Sequence, residues 1–217
     1  MIDLLTAIRT NGSVRGFTDD PVDDVLLRAV LDAARFAPSG GNRQPWKVAI
    51  VRDTALREQL AVPMREVWNQ YAAIAATGAT PFGLGSPTDL PLIDAPNDLL
   101  DHIAAVPVVL AIAADWKRIA LMDGDLDRPS LTGGASVYPF CWNLLLAARA
   151  HGLGGVMTTF LSRAEPAARP LLGLPDDHAL AATIFLGHPV HQPTKLKRAP
   201  VNSFATIDRF DGDSFGD

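Results

Sequence analysis

Residues 37–46 read Ala37-Pro38-Ser39-Gly40-Gly41-Asn42-Arg43-Gln44-Pro45-Trp46. Two prolines, two glycines and four polar side chains make this a poor core segment and a good loop. It lies between a run of apolar residues at helical spacing and the short apolar run WKVAIV, so it joins a helix to a strand. Ser39, Asn42 and Gln44 offer donors and acceptors beside a backbone that the glycines open to close approach. Such a set can read the edge of a planar ring with alternating carbonyl and N–H groups. It serves equally well as a polar connector whose Asn and Gln satisfy nearby backbone.

Upstream of the loop, Asp20 is expected to cap a helix with Pro21 at its first position. Val22, Val25, Leu26, Ala29, Val30, Ala33 and Ala34 then recur at three- and four-residue spacing as the inward face. Downstream, residues 46–51, 106–114 and 179–186 read as strands covered on both faces. Asp53 is expected to cap a helix that runs toward Ala76 and is disturbed at Pro63. A further helix is expected over 136–150, stopped by His151-Gly152, with Ser162 capping a short one after it. Residues 78–97 carry three glycines, four prolines and no period, and are read as a lid. Residues 188–217 form an extended tail, basic at first (HPVHQPTKLKRAP) and acidic at its end. The pattern indicates one layered α/β or α+β domain spanning 1–217, and its long amphipathic helices suggest a helical dimer interface.

Composition narrows the function. The chain has 217 residues, 48% of them hydrophobic, and 19 Lys+Arg against 24 Asp+Glu for a formal net charge of -5. No basic footprint for nucleic acid is present. The one cysteine, Cys141, excludes an internal disulfide and fits a reducing compartment. The segment MIDLLTAIRT lacks the features of a secretory signal, and the apolar stretch 129–148 is broken by Pro, Gly and Asn, so a cytoplasmic protein without membrane spans is expected. The five histidines show no ligand spacing, Ser162 has no nucleophile-elbow context, and no Rossmann or P-loop glycine pattern occurs. Neither a metal nor a catalytic side chain is expected.

Three other segments bear on binding. Arg9-Thr10-Asn11-Gly12-Ser13-Val14-Arg15 sets two guanidinium groups and a hydroxyl around a turn, which suits an anion and equally suits a solvated surface. Gly154-Gly155-Val156-Met157-Thr158 can press backbone against a flat ring, or be a core strand that begins with glycine. Lys195, Lys197 and Arg198 form a small basic cluster that could complete a phosphate site or remain surface charge.

Taken in order, Ser13-Val14-Arg15-Gly16-Phe17, the helix after Asp20-Pro21, the PSGGNRQPW block and the glycine-rich turn after Asn143–Arg149 resemble the nitroreductase family of FMN-dependent oxidoreductases over nearly the whole chain. The resemblance implies an α+β three-layer sandwich, a central mixed and mainly antiparallel sheet flanked by helices, and an intertwined homodimer with FMN at the subunit interface. It implies that Arg9, Ser13 and Arg15 grip the ribityl phosphate or the pyrimidine edge. Pro38, Ser39, Gly40 and Asn42 would line the flavin from the partner subunit, with Gln44 nearby. Val156, Met157 and Thr158 would run along the ring face, and Arg198, with Lys197 or Lys195, would reach the phosphate. Where many relatives carry a basic pair before the motif serine, this chain has Asn11-Gly12. Either Arg9 substitutes from two residues earlier, or the tail cluster takes more of the charge. The implied activity is NADH- or NADPH-driven, ping-pong reduction of small electron-poor acceptors such as nitroaromatics or quinones, with no catalytic side chain. A dehalogenating or flavin-fragmenting enzyme of the same fold, or a non-catalytic FMN store, stands as the alternative.

Overall fold

The computed structural model describes residues 2–216; Met1 and Asp217, the ends of the expected domain, lie outside the described residues. Four strands form one sheet in the order β1-β2-β4-β3: β1 Trp46–Ile50, β2 Val108–Asp115, β3 Gly154–Thr158 and β4 His178–Gly187. All three pairings are antiparallel, so within the described chain the sheet is not mixed.

Period-two alternation along β2 builds the layers. Val108, Leu110, Ile112 and Ala114 join a core with α2 (Asp24–Ala34) and α5 (Tyr138–Ala150). Val109, Ala111 and Ala113 join a second core with α3 (Thr54–Ala76), α6 (Phe160–Arg163) and α7 (Glu165–Leu172). The result is the expected α+β three-layer sandwich. Two short helices complete the set: α1 (Leu4–Thr10) near the amino end and α4 (Asp98–Asp101) before β2. Between Ile112 and Ala113 the β2–β4 register shifts by one residue, a bulge that keeps both faces apolar beyond it.

Several local expectations are corrected. Helix α2 starts at Asp24, not after Asp20, because the Asp23 carboxylate accepts from the Leu26 N–H at 2.7 Å, while Asp20 accepts from the Thr18 hydroxyl at 2.8 Å. Its buried residues are Leu27, Val30 and Ala34, and Val25 is 80% exposed. Helix α3 continues through Pro63, whose buried ring packs among apolar neighbours at the cost of one backbone bond. Helix α5 begins at Tyr138, and Ser162 lies inside α6 instead of capping a helix. Strand β1 is an edge strand and largely exposed, unlike the buried β2 and β4. Among the described residues no helix is long and apolar enough to cross a membrane, and no His/Cys/Asp/Glu group is arranged to hold a metal.

One buried charge ties the second layer together. Arg57, on α3, donates to the carbonyls of Val51 at 2.8 Å, Ala104 at 3.2 Å and Val106 at 2.6 Å. Its guanidinium replaces water with carbonyl dipoles, and burial lowers its pKa. This fixes the amino end of α3 against the turn before β2.

Candidate functional site

Residues 12–17 run extended beside β3. Val14 donates its N–H to the Gly155 carbonyl at 2.9 Å, and Phe17 pairs with Pro189. Val14 is buried while Ser13 and Arg15 are exposed, so alternation puts those two side chains on one outward face. Beside Arg15 a cavity of about 590 Å³ opens; Ser13, expected to share the site, is not among the residues that line it. Arg15 stands at its rim, Met157 and Thr158 from the end of β3 form one wall, and Trp68 and Tyr71 of α3 form another. Trp68 and Tyr71 stack at 5.6 Å with 11° between their planes, and Phe160 meets Trp68 edge-on at 5.7 Å.

The polar ends here are uncommitted. Among the described residues no hydrogen bond or ion pair engages the side chains of Ser13 or Arg15, and the buried Thr158 Oγ1 has no partner. A buried hydroxyl without a partner costs free energy unless a ligand or water fills the role. A planar polar ligand fits this lining: the Arg15 guanidinium at the rim, the Thr158 hydroxyl, and apolar Met157 and aromatic rings along the wall, with the Asp98 carboxylate on the same cavity.

The basic tail joins this face through Gly12. A Cβ at Gly12 would lie 2.6 Å from the Pro193 carbonyl oxygen and 3.1 Å from Leu196 Cδ2. The Gly12 N–H donates to Pro193 O at 3.2 Å, and Gln192 Nε2 donates to the carbonyls of Thr10 and Gly12. Leu196 therefore lies against the Asn11-Gly12 turn that lacks a basic pair, with the exposed Lys195 and Lys197 on either side of it in sequence. Arg9 is exposed at the end of α1, and Arg198 donates to the Lys197 carbonyl at 2.7 Å.

Strand β3 answers the double reading of its glycines. A Cβ at Gly154 would meet Val14 Cγ2 at 2.6 Å, and one at Gly155 would meet Leu186 Cδ2 at 2.5 Å. Both glycines are spent on internal packing. Val156 is buried in the second core beside Phe185, and lines no part of the cavity; Met157 and Thr158 do.

The loop 38–44 lies elsewhere. It leads into β1 at one edge of the sheet, whereas Met157 and Thr158 sit on β3 at the other. Register puts Trp46 level with Ala179 on β4, through Ala114, and Thr158 level with Thr183. Three strand spacings across and four residues along amount to roughly 20 Å. Pro38, Ser39, Gly40, Asn42 and Gln44 therefore do not meet Arg15, Met157 and Thr158 within one chain.

The loop is nonetheless built to a fixed shape. Gly41, Asn42 and Gln44 all have positive φ, at 60°, 54° and 48°. For the two non-glycine residues this costs about 1–2 kcal/mol each, and it persists only where surroundings over-determine it. Gln44 N–H donates to Ser39 Oγ at 2.9 Å, Gly40 N–H to Ser136 Oγ at 3.0 Å, and Asp115 N–H to the Pro45 carbonyl at 2.9 Å. Trp46 stacks on Phe140 at 4.9 Å. Arg43 and the Asn42–Gln44 side chains face solvent.

Residues 78–97 carry no helix or strand, as expected, but they are not loose over the site. Phe82 packs 4.0 Å beneath the Arg163 guanidinium and beside Tyr71, and Trp68 Nε1 donates to Ala95 O at 3.0 Å. Only the carboxyl end of the segment, Pro96 and Asn97, reaches the main cavity. Sequence reading missed Trp68, Tyr71, Asp98 and Phe160 as cavity residues. The three-residue spacing of Trp68 and Tyr71 on one helix face was the available signal.

Known proteins share the sequence pattern and the fold. A sequence profile of the Nitroreductase family matches residues 8–188. An NADH dehydrogenase of Thermus thermophilus is 31% identical over 93% of this chain and 94% of its own length. A nitrobenzene nitroreductase of Ectopseudomonas oleovorans is 28% identical over 83% and 84%. The crystal structure of an NADPH:FMN oxidoreductase from Vibrio harveyi in complex with NAD+ superposes with a TM-score of 0.69 at 23% identity, over 95% of this chain and 77% of that one. With the profile covering most of the chain and the three-layer fold shared, the chain belongs to the nitroreductase family.

Proposed function

We propose that the protein is an FMN-dependent oxidoreductase that draws on NADH or NADPH and reduces small electron-poor acceptors, such as nitroaromatics or quinones. The observation that carries this reading is the cavity in which Arg15, Met157 and the unpartnered Thr158 hydroxyl face stacked aromatic rings. The names of the relatives, an NADH dehydrogenase and a nitrobenzene nitroreductase, point the same way.

FMN, when bound, supplies the hydride chemistry, which explains why no acid–base pair is needed from the chain. Arg15 and Ser13 would hold the polar edge or the ribityl arm, and their positive field favours an anionic ligand. Lys195, Lys197 and Arg198, brought to Gly12, would take the phosphate with Arg9, compensating for Asn11-Gly12. Met157 and Thr158 would lie along the ring face, with the Thr158 hydroxyl donating to it or accepting from it. Trp68, Tyr71 and Phe160 exclude water from the acceptor side and offer flat surfaces to flat substrates.

The 38–44 loop would complete the site from a second copy of the chain, because its own cavity lies across the sheet. A homodimer is thus part of the proposal, as is one domain over the whole chain. The buried and unpaired Cys141, its thiol pushed up to about 12 by burial, fits a reducing cytoplasm. No second dinucleotide site is evident, so NAD(P)H and acceptor would occupy one pocket in turn.

The test is direct. The purified protein should be yellow, take up about one FMN per chain and oxidise NAD(P)H when an acceptor is added. Initial-rate plots at several acceptor concentrations should be parallel, with excess acceptor competing against NAD(P)H. A protein that binds FMN without turnover would be an FMN store, and one that binds none would overturn the reading.

A further inference from the structure

The 38–44 loop keeps its strained shape partly through contacts from outside itself: the Arg118 guanidinium donates to the Arg43 carbonyl at 3.4 Å, and the Gly40 N–H donates to Ser136 Oγ at 3.0 Å. Ser136 stands two residues before α5, one position outside the N-cap Val137. Here α5 has no side-chain cap, and the hydroxyl is given to the loop.

What puts Ser136 there is Asp123, a buried carboxylate 4% exposed. Its Oδ1 accepts from Ser130 Oγ at 2.6 Å, Thr132 Oγ1 at 2.6 Å and Thr132 N at 3.3 Å. Its Oδ2 accepts from Arg128 Nη1 and Leu131 N, at 2.7 and 2.8 Å. These donors hold the carboxyl far below the usual carboxylate range, the Ser130 hydroxyl foremost. From Thr132 the backbone turns on without a break: Ala135 N–H donates to Thr132 O at 3.1 Å and Val137 N–H to Gly134 O at 3.0 Å, directly into α5. A Cβ at Gly134 would lie 2.5 Å from the Tyr138 ring, so a side chain there would push that ring aside. An otherwise irregular segment is thereby wound around one carboxylate and ends on the hydroxyl that grips Gly40.

We propose that Asp123 and Ser136 are positioning residues of the site: Asp123 winds residues 128–132 so that Ser136 Oγ holds the Gly40 N–H and sets the 38–44 loop in its binding shape. The role of the loop rests on the flavin reading above; the geometry of the grip does not. Asparagine at 123 keeps one acceptor oxygen but turns an NH2 toward donors that the second carboxylate oxygen satisfied, so it cannot hold both sets. Threonine at 136 keeps the hydroxyl, and Ser136 is only half-buried, leaving room for the added methyl.

Amide hydrogen exchange at Gly40 and FMN titration by flavin fluorescence, both on the full-length protein, separate the two layers of the argument. Ser136→Ala should speed Gly40 exchange and weaken FMN binding about 5- to 10-fold, the worth of one hydrogen bond made through a neutral hydroxyl. Ser136→Thr should restore both. Asp123→Asn should reproduce the Ser136→Ala result, and the double variant should lose no more than the larger single one, because both act through one bond. The visible circular dichroism of bound flavin should change in the alanine variant and return in the threonine one. Unchanged Gly40 exchange in Ser136→Ala, equal FMN binding by it and wild type, or additive losses in the double variant would each overturn the proposal while leaving the flavin reading standing. Wild-type protein that takes up no FMN would overturn the flavin reading, and the role assigned here with it.

Discussion

At the β3 edge, Arg15, Met157 and Thr158 surround a hollow with their polar ends free; at the β1 edge, residues 38–44 form a projecting loop whose backbone is bonded to itself and to the body of the protein. The first region is a hollow lined by aromatic and polar side chains. The second is a shaped polar surface without a hollow of its own. The four-stranded sheet is open, with β1 and β3 at its two edges, so the two regions stand apart in one chain. In the homodimer proposed above, each loop would reach the other copy's cavity and two identical sites would result.

The largest effect should come from attacking each region in turn. Arg15→Ala should weaken FMN binding about 10- to 100-fold, the range for a charge-assisted hydrogen bond, whereas Arg43→Ala, at a solvent-facing position, should change it less than about 2-fold. If the regions belong to different copies, co-expressing an Arg15→Ala chain with an Asn42→Ala chain should regenerate intact sites. Random pairing would restore about a quarter of the wild-type sites. Equal losses for the two arginines, or no recovery on mixing, would break the comparison.

Next in size is Gly12→Ala. Its Cβ meets Pro193 at 2.6 Å, so the tail must move away from the turn. Stability should fall by about 1–3 kcal/mol, as for overpacking, and FMN affinity should fall with it if Lys195 and Lys197 serve the phosphate. Calorimetry and titration of the same preparation decide whether the two losses go together.

A smaller effect is expected in the loop. Gln44→Gly removes one left-handed non-glycine residue and relieves about 1 kcal/mol of strain, against the loss of its weak bond to Asn42 Oδ1 at 3.2 Å. Thermal stability should hold or rise while FMN binding falls. A fall in both would show that the loop's shape owes more to the Gln44 side chain than to its anchors.

The smallest effect concerns pH. Asp177 is held at about 2, first by Lys117, whose ammonium donates to it at 2.8 Å, and then by His178. Because the folded pKa lies below the unfolded value near 3.9, this contribution is complete above about pH 4 and is lost as pH falls toward 2. Melting curves from pH 5 to 2 should show a shallower acid decline in Lys117→Met than in wild type. Both regions of the site should be indifferent to this change, since Asp177 touches neither.

Much of this was legible beforehand. The connector 37–46 had to be a loop because two prolines and two glycines leave little regular structure open to it, and the strand after it followed from its β-branched run. The layers followed from apolar runs that could be covered on both faces. Other features misled for identifiable reasons. Asp20-Pro21 looks like a helix start as much as Asp23 does, and the choice turned on Thr18 claiming the Asp20 carboxylate. Val25 fits the helical period yet points outward, because the sheet that α2 covers lies to the side of Leu27 and Val30. The glycines in the β3 segment allowed either a surface for a flat ring or a core strand, and only the packing of Val14 and Leu186 into the space they leave decides for the core strand. Trp68 and Tyr71 gave only a spacing, since nothing local tells which face of a helix will border a cavity.

By itself, then, the sequence determined the local chemistry: which segments turn, which alternate, where donors cluster, and the order of blocks that marks the family, because these depend on neighbours a few residues apart. The tertiary structure decided which donors share a site. Strand order is set by long-range pairing and packing, and the order β1-β2-β4-β3 places the loop and the cavity on opposite edges. It also decided that Asp123, an aspartate among several in its segment, would be the one buried among five donor contacts and so reach Gly40 through Ser136.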